Sequence, residues 1–194
     1  RIFEGANEIN RLLLVDAVLK KGAKGVLPVM EEAEKALEEV KGLNGSPAVA
    51  EGFIEEKMQY VANMKKVVLM LLKAVSEKFT RKLVLEQEIL SNISDCIIQV
   101  YVAESVVLRL KKMETMKSEE ETKLYRAMAD VFVYDAASRV RKFALDTTYS
   151  FAYGEVRELL EKGIAAFTTV AGVNVKEARR KIADRLIDEN KYCF

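Results

Sequence analysis

Apolar residues recur every three or four positions along most of this 194-residue chain. That spacing collects them on one face of an α-helix, and no stretch shows the every-second-residue alternation of a half-buried strand. The apolar runs and the breaks between them predict helices over Glu8–Lys21, Pro28–Lys41, Ala48–Thr80, Lys82–Met116, Ser118–Leu145, Glu155–Phe167 and Val175–Asn190. Three of these helices are about 30 residues long and are joined by tight turns. The expected fold is therefore an all-α antiparallel helical bundle.

Local signals mark several of the expected helix ends. In a capping box, Ser and Glu three residues apart satisfy each other's free backbone N–H groups at the start of a helix. A Ser before a Pro combines a cap with a first-turn proline. Signals of this kind occur at Ser46-Pro47, Ser118–Glu121 and Asn174–Glu177. The polar and aromatic stretch Asp146–Gly154 is expected to be a connector between helices.

The composition narrows the classes of function. Half of the residues are apolar and 31% are charged, with 9 Gly and 2 Pro, which is typical of a globular helical protein. A formal charge of +1 gives no general attraction to nucleic acid. Because the chain has no His, it can form neither a His-based triad nor a His-ligated metal centre, and no metal site is expected.

The cysteines and the apolar runs argue against a disulfide framework and against a membrane-spanning helix. Cys96 and Cys193 are too few for a disulfide framework, and Cys96 is expected to be a buried thiol in a reducing compartment. The longest unbroken apolar run, Val67–Leu72, has six residues, whereas a membrane-spanning helix needs roughly 18. This run should be sandwiched between neighbouring helices.

Two acidic residues, Asp95 and Glu104, interrupt an apolar helical run. They could belong to a buried site, or they could face outward or pair with a base such as Arg139 or Arg141. The pattern of residues leaves both interpretations open and favours the second.

The first fourteen residues, RIFEGANEINRLLL, contain the most specific motif. Read by chemistry alone, Glu4 is a carboxylate before a helix, and such residues are usually solvent-facing. As a string, the segment from Ile2 to Leu12 resembles the signature of the acyl-CoA dehydrogenases, the flavin enzymes that begin fatty-acid β-oxidation. The resemblance implies that Glu4 is a catalytic base. It also implies that the helix after Glu4 belongs to the C-terminal helical domain of that family.

The resemblance also implies a cofactor and a reaction. Gly5, Ala6 and Glu8 would lie in a turn against the adenosine and pyrophosphate end of FAD. Family members usually carry Thr where this chain has Ala6, which removes one hydrogen bond to the cofactor, and they carry Glu or Gln at the position of Glu8. The implied substrate is a long-chain acyl-CoA, the product a trans-2-enoyl-CoA, and the electron acceptor an electron-transfer flavoprotein.

The rest of the chain resembles the very-long-chain branch of the family and its bacterial relatives, which append a second helical domain. Ile97–Leu110 and the last 21 residues, NVKEARRKIADRLIDENKYCF, carry this likeness. The implied domains are residues 1–45, the end of the acyl-CoA dehydrogenase C-terminal helical domain, and residues 46–194, the appended bundle. In that branch the appendix packs across a homodimer. The counterpart of the branch's membrane-attachment segment, Lys20–Gly52, is short and carries more Glu than Lys, so membrane binding is not expected.

Together these features predict the C-terminal part of a flavin-dependent acyl-CoA dehydrogenase in the bacterial cytoplasm. The sequence does not start with Met, so we expect it to be the tail of a longer protein, whose upstream domains complete the flavin and acyl pockets. The chain alone should then be inactive and should serve dimerisation or assembly. The alternative is a non-catalytic helical module for protein interaction or peripheral membrane docking.

Overall fold

The computed structural model describes residues 5–45 and 47–192. This part of the chain is all-α, as the spacing of apolar residues predicts, and contains seven α-helices and one 3-10 segment. They are α1 (Asn7–Ala23), α2 (Val29–Gly42), α3 (Phe53–Phe79), the 3-10 segment Thr80–Leu85, α4 (Gln87–Glu114), α5 (Glu119–Phe151), α6 (Gly154–Phe167) and α7 (Val175–Glu189).

The long helices α3, α4 and α5 form the centre of the bundle. Helix α3 is the most enclosed, because it packs against α2, α4, α5 and α6, while α1 lies on α4 and α7 lies on α5. The apolar run Val67–Leu72 is buried except for Leu69, which is partly buried and packs against the core, so the prediction that it is sandwiched between helices is confirmed. Each large side chain buried there stabilises the fold by about 1.5–3 kcal/mol.

One apolar core joins the first 45 residues to the rest. Val15 of α1 and Val29 and Val40 of α2 belong to the same buried cluster as Val67 of α3 and Ile164 of α6. The division at residues 45 and 46 stays a prediction. Within the described part of the chain, no helix is both long enough and apolar enough to cross a membrane.

Two of the expected caps are confirmed. The Ser118 hydroxyl accepts from the Glu121 N–H, and the Glu121 carboxylate accepts from the Ser118 N–H at 3.1 Å, which completes a capping box before α5. The Asn174 side chain accepts from the Glu177 N–H at 3.2 Å before α7.

The third expected cap is wrong in position. Ser46 lies outside the described residues, and α3 begins at Phe53 rather than near Ala48. A side chain bonds to part of the backbone between them: Gln59 accepts from the Ala50 N–H at 2.6 Å and donates to the Ala48 carbonyl. Two backbone groups of this segment therefore have partners although the segment is not helical.

The connection between α3 and α4 also differs from the prediction, which started the second long helix at Lys82. Thr80 has φ +48°, outside the helical region, and residues 80–85 wind as a 3-10 segment before α4 begins at Gln87. The buried Leu83 anchors this segment to the core. The chain thus reverses direction over six residues, of which the apolar spacing assigned all but Arg81 to helix.

The stretch from Asp146 to Phe151 is helical, so the predicted connector is wrong over most of its length. The hydroxyl of Thr148 donates to the Ala144 carbonyl at 2.8 Å, and that of Ser150 donates to the Thr147 carbonyl at 2.6 Å. These polar side chains donate hydrogen bonds to carbonyls of their own helix, and the helix continues through them. Phe151 then packs edge-on against Phe79 of α3, which holds the last turn of α5 in the core.

Candidate functional site at the start of α1

The sequence motif leads into α1 through a tight turn at Gly5. Glu4, the predicted catalytic base, lies outside the described residues, so the structure follows the motif from Gly5 onward. Gly5 has φ +103°, a conformation that L side chains rarely adopt. A Cβ at this position would also lie 3.1 Å from Oδ1 of Asn10. Both conditions favour glycine here.

Asn10 holds this turn in place. Its Nδ2 donates to the Gly5 carbonyl at 3.1 Å, and its backbone N–H donates to the Ala6 carbonyl at 3.0 Å. Asn10 therefore bonds to both of the described residues that precede α1, Gly5 and Ala6.

Ala6 occupies the capping position before α1, but its methyl group cannot accept a hydrogen bond from the helix backbone. Among the described residues, no side chain accepts from the first N–H groups of α1. A Thr at this position, as is usual in the resembled family, would supply a hydroxyl worth about 1 kcal/mol as a cap. The uncapped N–H groups carry the positive end of the helix dipole.

The donors at this helix end match one part of the expected cofactor. Backbone N–H groups at the start of a helix bind the oxygens of a phosphate or pyrophosphate, so the turn of Gly5 and Ala6 fits that end of FAD. The exposed carboxylate of Glu8 lies in the same first turn. Since a carboxylate only accepts hydrogen bonds, Glu8 suits the hydroxyl or amino donors of a nucleoside and not the phosphate itself.

Arg11 connects this turn to α4. Its Nε donates to Oδ1 of Asp95 at 2.7 Å, and its Nη1 donates to the Asn7 carbonyl at 3.2 Å. The hydroxyl of the fully buried Ser94 donates to the backbone carbonyl of Arg11. Two consecutive residues of α4 thus hold both the side chain and the backbone of Arg11.

Asp95 and Glu104, the acidic residues within the apolar run of α4, form no separate buried site. Asp95 pairs with Arg11, and Glu104 pairs with Lys65 of α3, Nζ to Oε1 at 2.6 Å. The favoured interpretation, that they face outward or pair with a base, agrees with these contacts, but the bases are Arg11 and Lys65 and not Arg139 or Arg141. Arg11 and Asp95 are 84 residues apart, so helical spacing could not reveal their contact. The one feature of the sequence that could have pointed to this contact is that Arg11 belongs to the motif.

Comparisons with known proteins define the class. The family model described as "Acyl-CoA dehydrogenase, C-terminal domain" matches residues 63–164, just over half of the chain. The chain belongs to this family. The matched residues run from α3 into α6 and exclude the Glu4 motif, so helices outside the motif establish the family independently.

Two relatives are similar over nearly the whole chain. One is a protein of Bacillus subtilis (strain 168) named "Probable acyl-CoA dehydrogenase", 31% identical over 192 residues, which cover 99% of this chain and 32% of that protein. The other is the crystal structure of an acyl-CoA dehydrogenase complexed with FAD from Bacillus anthracis, with a TM-score of 0.93 and 31% identity. It is covered to 32% by the whole of this chain. The chain therefore spans about a third of the length of these relatives.

Proposed function

We propose that this chain is the C-terminal part of a flavin-dependent acyl-CoA dehydrogenase of the very-long-chain type, in the bacterial cytoplasm. The full-length protein would convert a long-chain acyl-CoA to the trans-2-enoyl-CoA in fatty-acid β-oxidation, with Glu4 as the base. The observation that carries this proposal is the likeness of the whole chain to about a third of two acyl-CoA dehydrogenases, one of them complexed with FAD.

A carboxylate is suited to the proton transfer that this reaction requires. A thioester acidifies its α-carbon only weakly, so the base must lie in contact with that carbon and away from water, which raises the proton affinity of the carboxylate. In this assignment Glu4 removes the α-proton. The backbone N–H of Glu4 donates to the thioester carbonyl and stabilises the negative charge that develops there.

The described residues contribute to cofactor binding in the same assignment. Gly5 and Ala6 would present the uncapped start of α1 to the pyrophosphate of FAD, and Glu8 would accept from the adenosine end. Bound FAD would supply the acceptor for the β-hydride, and an electron-transfer flavoprotein would then take up the electrons. Most of the flavin and acyl pockets would come from upstream domains. The isolated chain, supplied with FAD, long-chain acyl-CoA and an electron acceptor, should therefore show no turnover, and measurable turnover would contradict this assignment.

A second candidate function is assembly without catalysis. Ile9 and Leu13 lie one turn apart on α1 and remain 52% and 56% exposed, although other residues of α1 pack on α4. Exposed apolar pairs of this kind favour a covering partner, either another region of the parent chain or the second subunit of a homodimer. Peripheral membrane docking is the remaining variant of this candidate, and we expect no co-sedimentation of the chain with liposomes at low salt.

Replacing Glu4 by Gln in the full-length protein separates catalysis from assembly. Gln keeps the size of the side chain but cannot accept the α-proton, so kcat should fall by about 10²- to 10⁴-fold with the bound flavin retained. The matched control is Glu155→Gln, which removes an exposed carboxylate from the first turn of α6 and should leave kcat unchanged. An unchanged kcat in Glu4→Gln would contradict catalysis by this residue and leave the assembly role.

A further inference from the structure

The start of α1 is fastened to α4 through one arginine. The guanidinium of Arg11 pairs with Asp95 at 2.7 Å, and these side chains are 32% and 24% exposed, so neither is fully solvated. The hydroxyl of Ser94, which is completely buried, donates to the backbone carbonyl of the same arginine. We call the set of Arg11, Ser94 and Asp95 the α1–α4 clasp.

The clasp extends into the first turn of α1, which follows the Gly5 turn. Arg11 also donates to the Asn7 carbonyl at 3.2 Å, and the neighbouring Asn10 donates to the Gly5 carbonyl at 3.1 Å. Gly5 is bonded directly to Glu4. Hydrogen bonds therefore run from Asp95 through Arg11 to the first turn of α1. Asn10, the residue before Arg11, separately holds the peptide group that joins Gly5 to Ala6.

The first turn of α1 depends on these contacts because its own cap is weak. Ala6 provides no side-chain acceptor, and a helix start without a cap frays readily. The body of α1 is held separately, by the buried Val15 and by Leu12 packed against the core. Loss of the clasp should therefore loosen the first turn while α1 stays on α4.

We infer that Asp95 is a positioning residue for Glu4. Through Arg11 it holds the first turn of α1, and Asn10 of that helix holds the Gly5 turn that follows Glu4 in the chain, so α4 helps to set the geometry of proton removal. This inference rests on the proposed function. A base must meet the α-carbon at contact distance, and a misplacement of about 1 Å can cost 100-fold in rate. Asp95 touches neither substrate nor cofactor in this assignment and acts only through Arg11.

The test compares Asp95→Asn with Glu104→Gln in the full-length flavin-loaded enzyme. Both variants remove one carboxylate charge from α4, and in each case the lost partner is a base on another helix. The carboxylates have similar exposure, 24% for Asp95 and 29% for Glu104. We expect kcat to fall by about 10- to 100-fold in Asp95→Asn, with KM and bound flavin unchanged, and to stay within about twofold in Glu104→Gln. Asp95→Glu, which restores the charge, should recover part of the loss.

Two further readouts distinguish positioning from general stability. Hydrogen exchange at the amides of residues 7–11 should be faster in Asp95→Asn than in Glu104→Gln, while Tm is equal in the two variants. Single-turnover reduction of the flavin by excess acyl-CoA, followed without oxygen over hours, should be equally slow in Glu4→Gln and in the double variant Glu4→Gln/Asp95→Asn. If Asp95 acts only through Glu4, its replacement should not slow the reaction further once Glu4 is already Gln.

Three results would overturn the positioning role. They are a kcat for Asp95→Asn equal to that of Glu104→Gln, a loss of rate in Asp95→Asn that follows a loss of Tm, and an additional slowing in the double variant. If Glu4→Gln is impaired and Asp95→Asn is not, only the positioning role fails. If Glu4→Gln keeps the full rate, the proposed function fails with it.

Discussion

Gly163 lies where α6 crosses α2 and α3. A Cβ added there would come within 2.9 Å of Cγ2 of Val40 and within 2.3 Å of Cε of Met70. The methionine can turn aside because its side chain is flexible, but the branched valine cannot. The absence of a side chain at this one residue thus allows three helices to approach closely.

Gly163→Ala should therefore destabilise the chain by about 1–3 kcal/mol, because overpacking outweighs the better helix propensity of alanine. The free energy of unfolding from urea titration measures this effect. Gly42→Ala is the matched control: Gly42 is also helical, but a Cβ there meets nothing within 4 Å. This control should be neutral or stabilising by up to about 1 kcal/mol. Equal effects at the two positions would contradict close packing at Gly163.

Cys96 shows how a single residue could be predicted from its neighbours. Its place in an apolar helical run predicts a buried thiol, and the residue is fully buried, with its thiol donating to the Val140 carbonyl of α5 at 3.7 Å. Burial, helped by the nearby charge of Asp95, raises the pKa of the thiol to about 12. The group is therefore neutral and unreactive at neutral pH, which suits a packing role.

Helices α3 and α5 are joined inside the bundle by an ion pair. Lys57 of α3 is only 4% exposed, and its Nζ lies 2.8 Å from Oδ1 of Asp130 on α5 and 4.9 Å from the centre of the Phe53 ring. A second carboxylate, Glu56, is more distant at 3.5 Å. The buried charge of Lys57 thus depends mainly on Asp130.

Replacing Asp130 should lower the free energy of unfolding more than replacing Lys57. Asp130→Ala leaves a buried ammonium with a poorer partner and should cost about 3 kcal/mol of unfolding free energy. Lys57→Met removes the buried charge, keeps the apolar stem and leaves Asp130 partly solvated, so it should cost less than about 1 kcal/mol. Chemical denaturation of the two variants measures the difference. A larger loss in Lys57→Met would mean that the pair itself stabilises the bundle.

The helices could be predicted from the sequence more reliably than the points where they end. Spacing of apolar residues gives all seven α-helices of the described chain, and residue type gives the capping box at Ser118. The ends near Ala48 and Asp146 were wrong because they depend on side chains bonding to backbone, as Gln59 does in one case and Thr148 does in the other. Such bonds leave no periodic trace in the sequence.

Ion pairs between helices could not be predicted from the sequence for a different reason. Lys57 sits within an apolar helix, and its partner Asp130 lies on another helix far along the chain. Arg11 and Asp95 are separated by 84 residues, so their pairing depends on how α1 is laid across α4. Local spacing predicts which face of a helix is buried, but not which residue of another helix meets it.

At the scale of the whole molecule, the chain combines a family-defining bundle with a short motif at its start. The bundle, residues 63–164, establishes membership of the acyl-CoA dehydrogenase C-terminal domain family. The motif supplies the chemistry we propose, and the clasp through Arg11 connects the two. In this account the bundle also supports the first turn of α1, the helix that follows Glu4 in the chain.

Removal of the α-proton by Glu4 is the central claim, and solvent exchange measures it most directly. An acyl-CoA with sulfur in place of the β-carbon can lose an α-proton but has no β-hydride to give. Incubated in D₂O with the full-length flavin-loaded enzyme, it should gain deuterium at the α-carbon. Glu4→Gln should slow this exchange by about 10²- to 10⁴-fold, whereas Glu155→Gln should leave it unchanged. Equal exchange by Glu4→Gln and the unaltered enzyme would contradict the account.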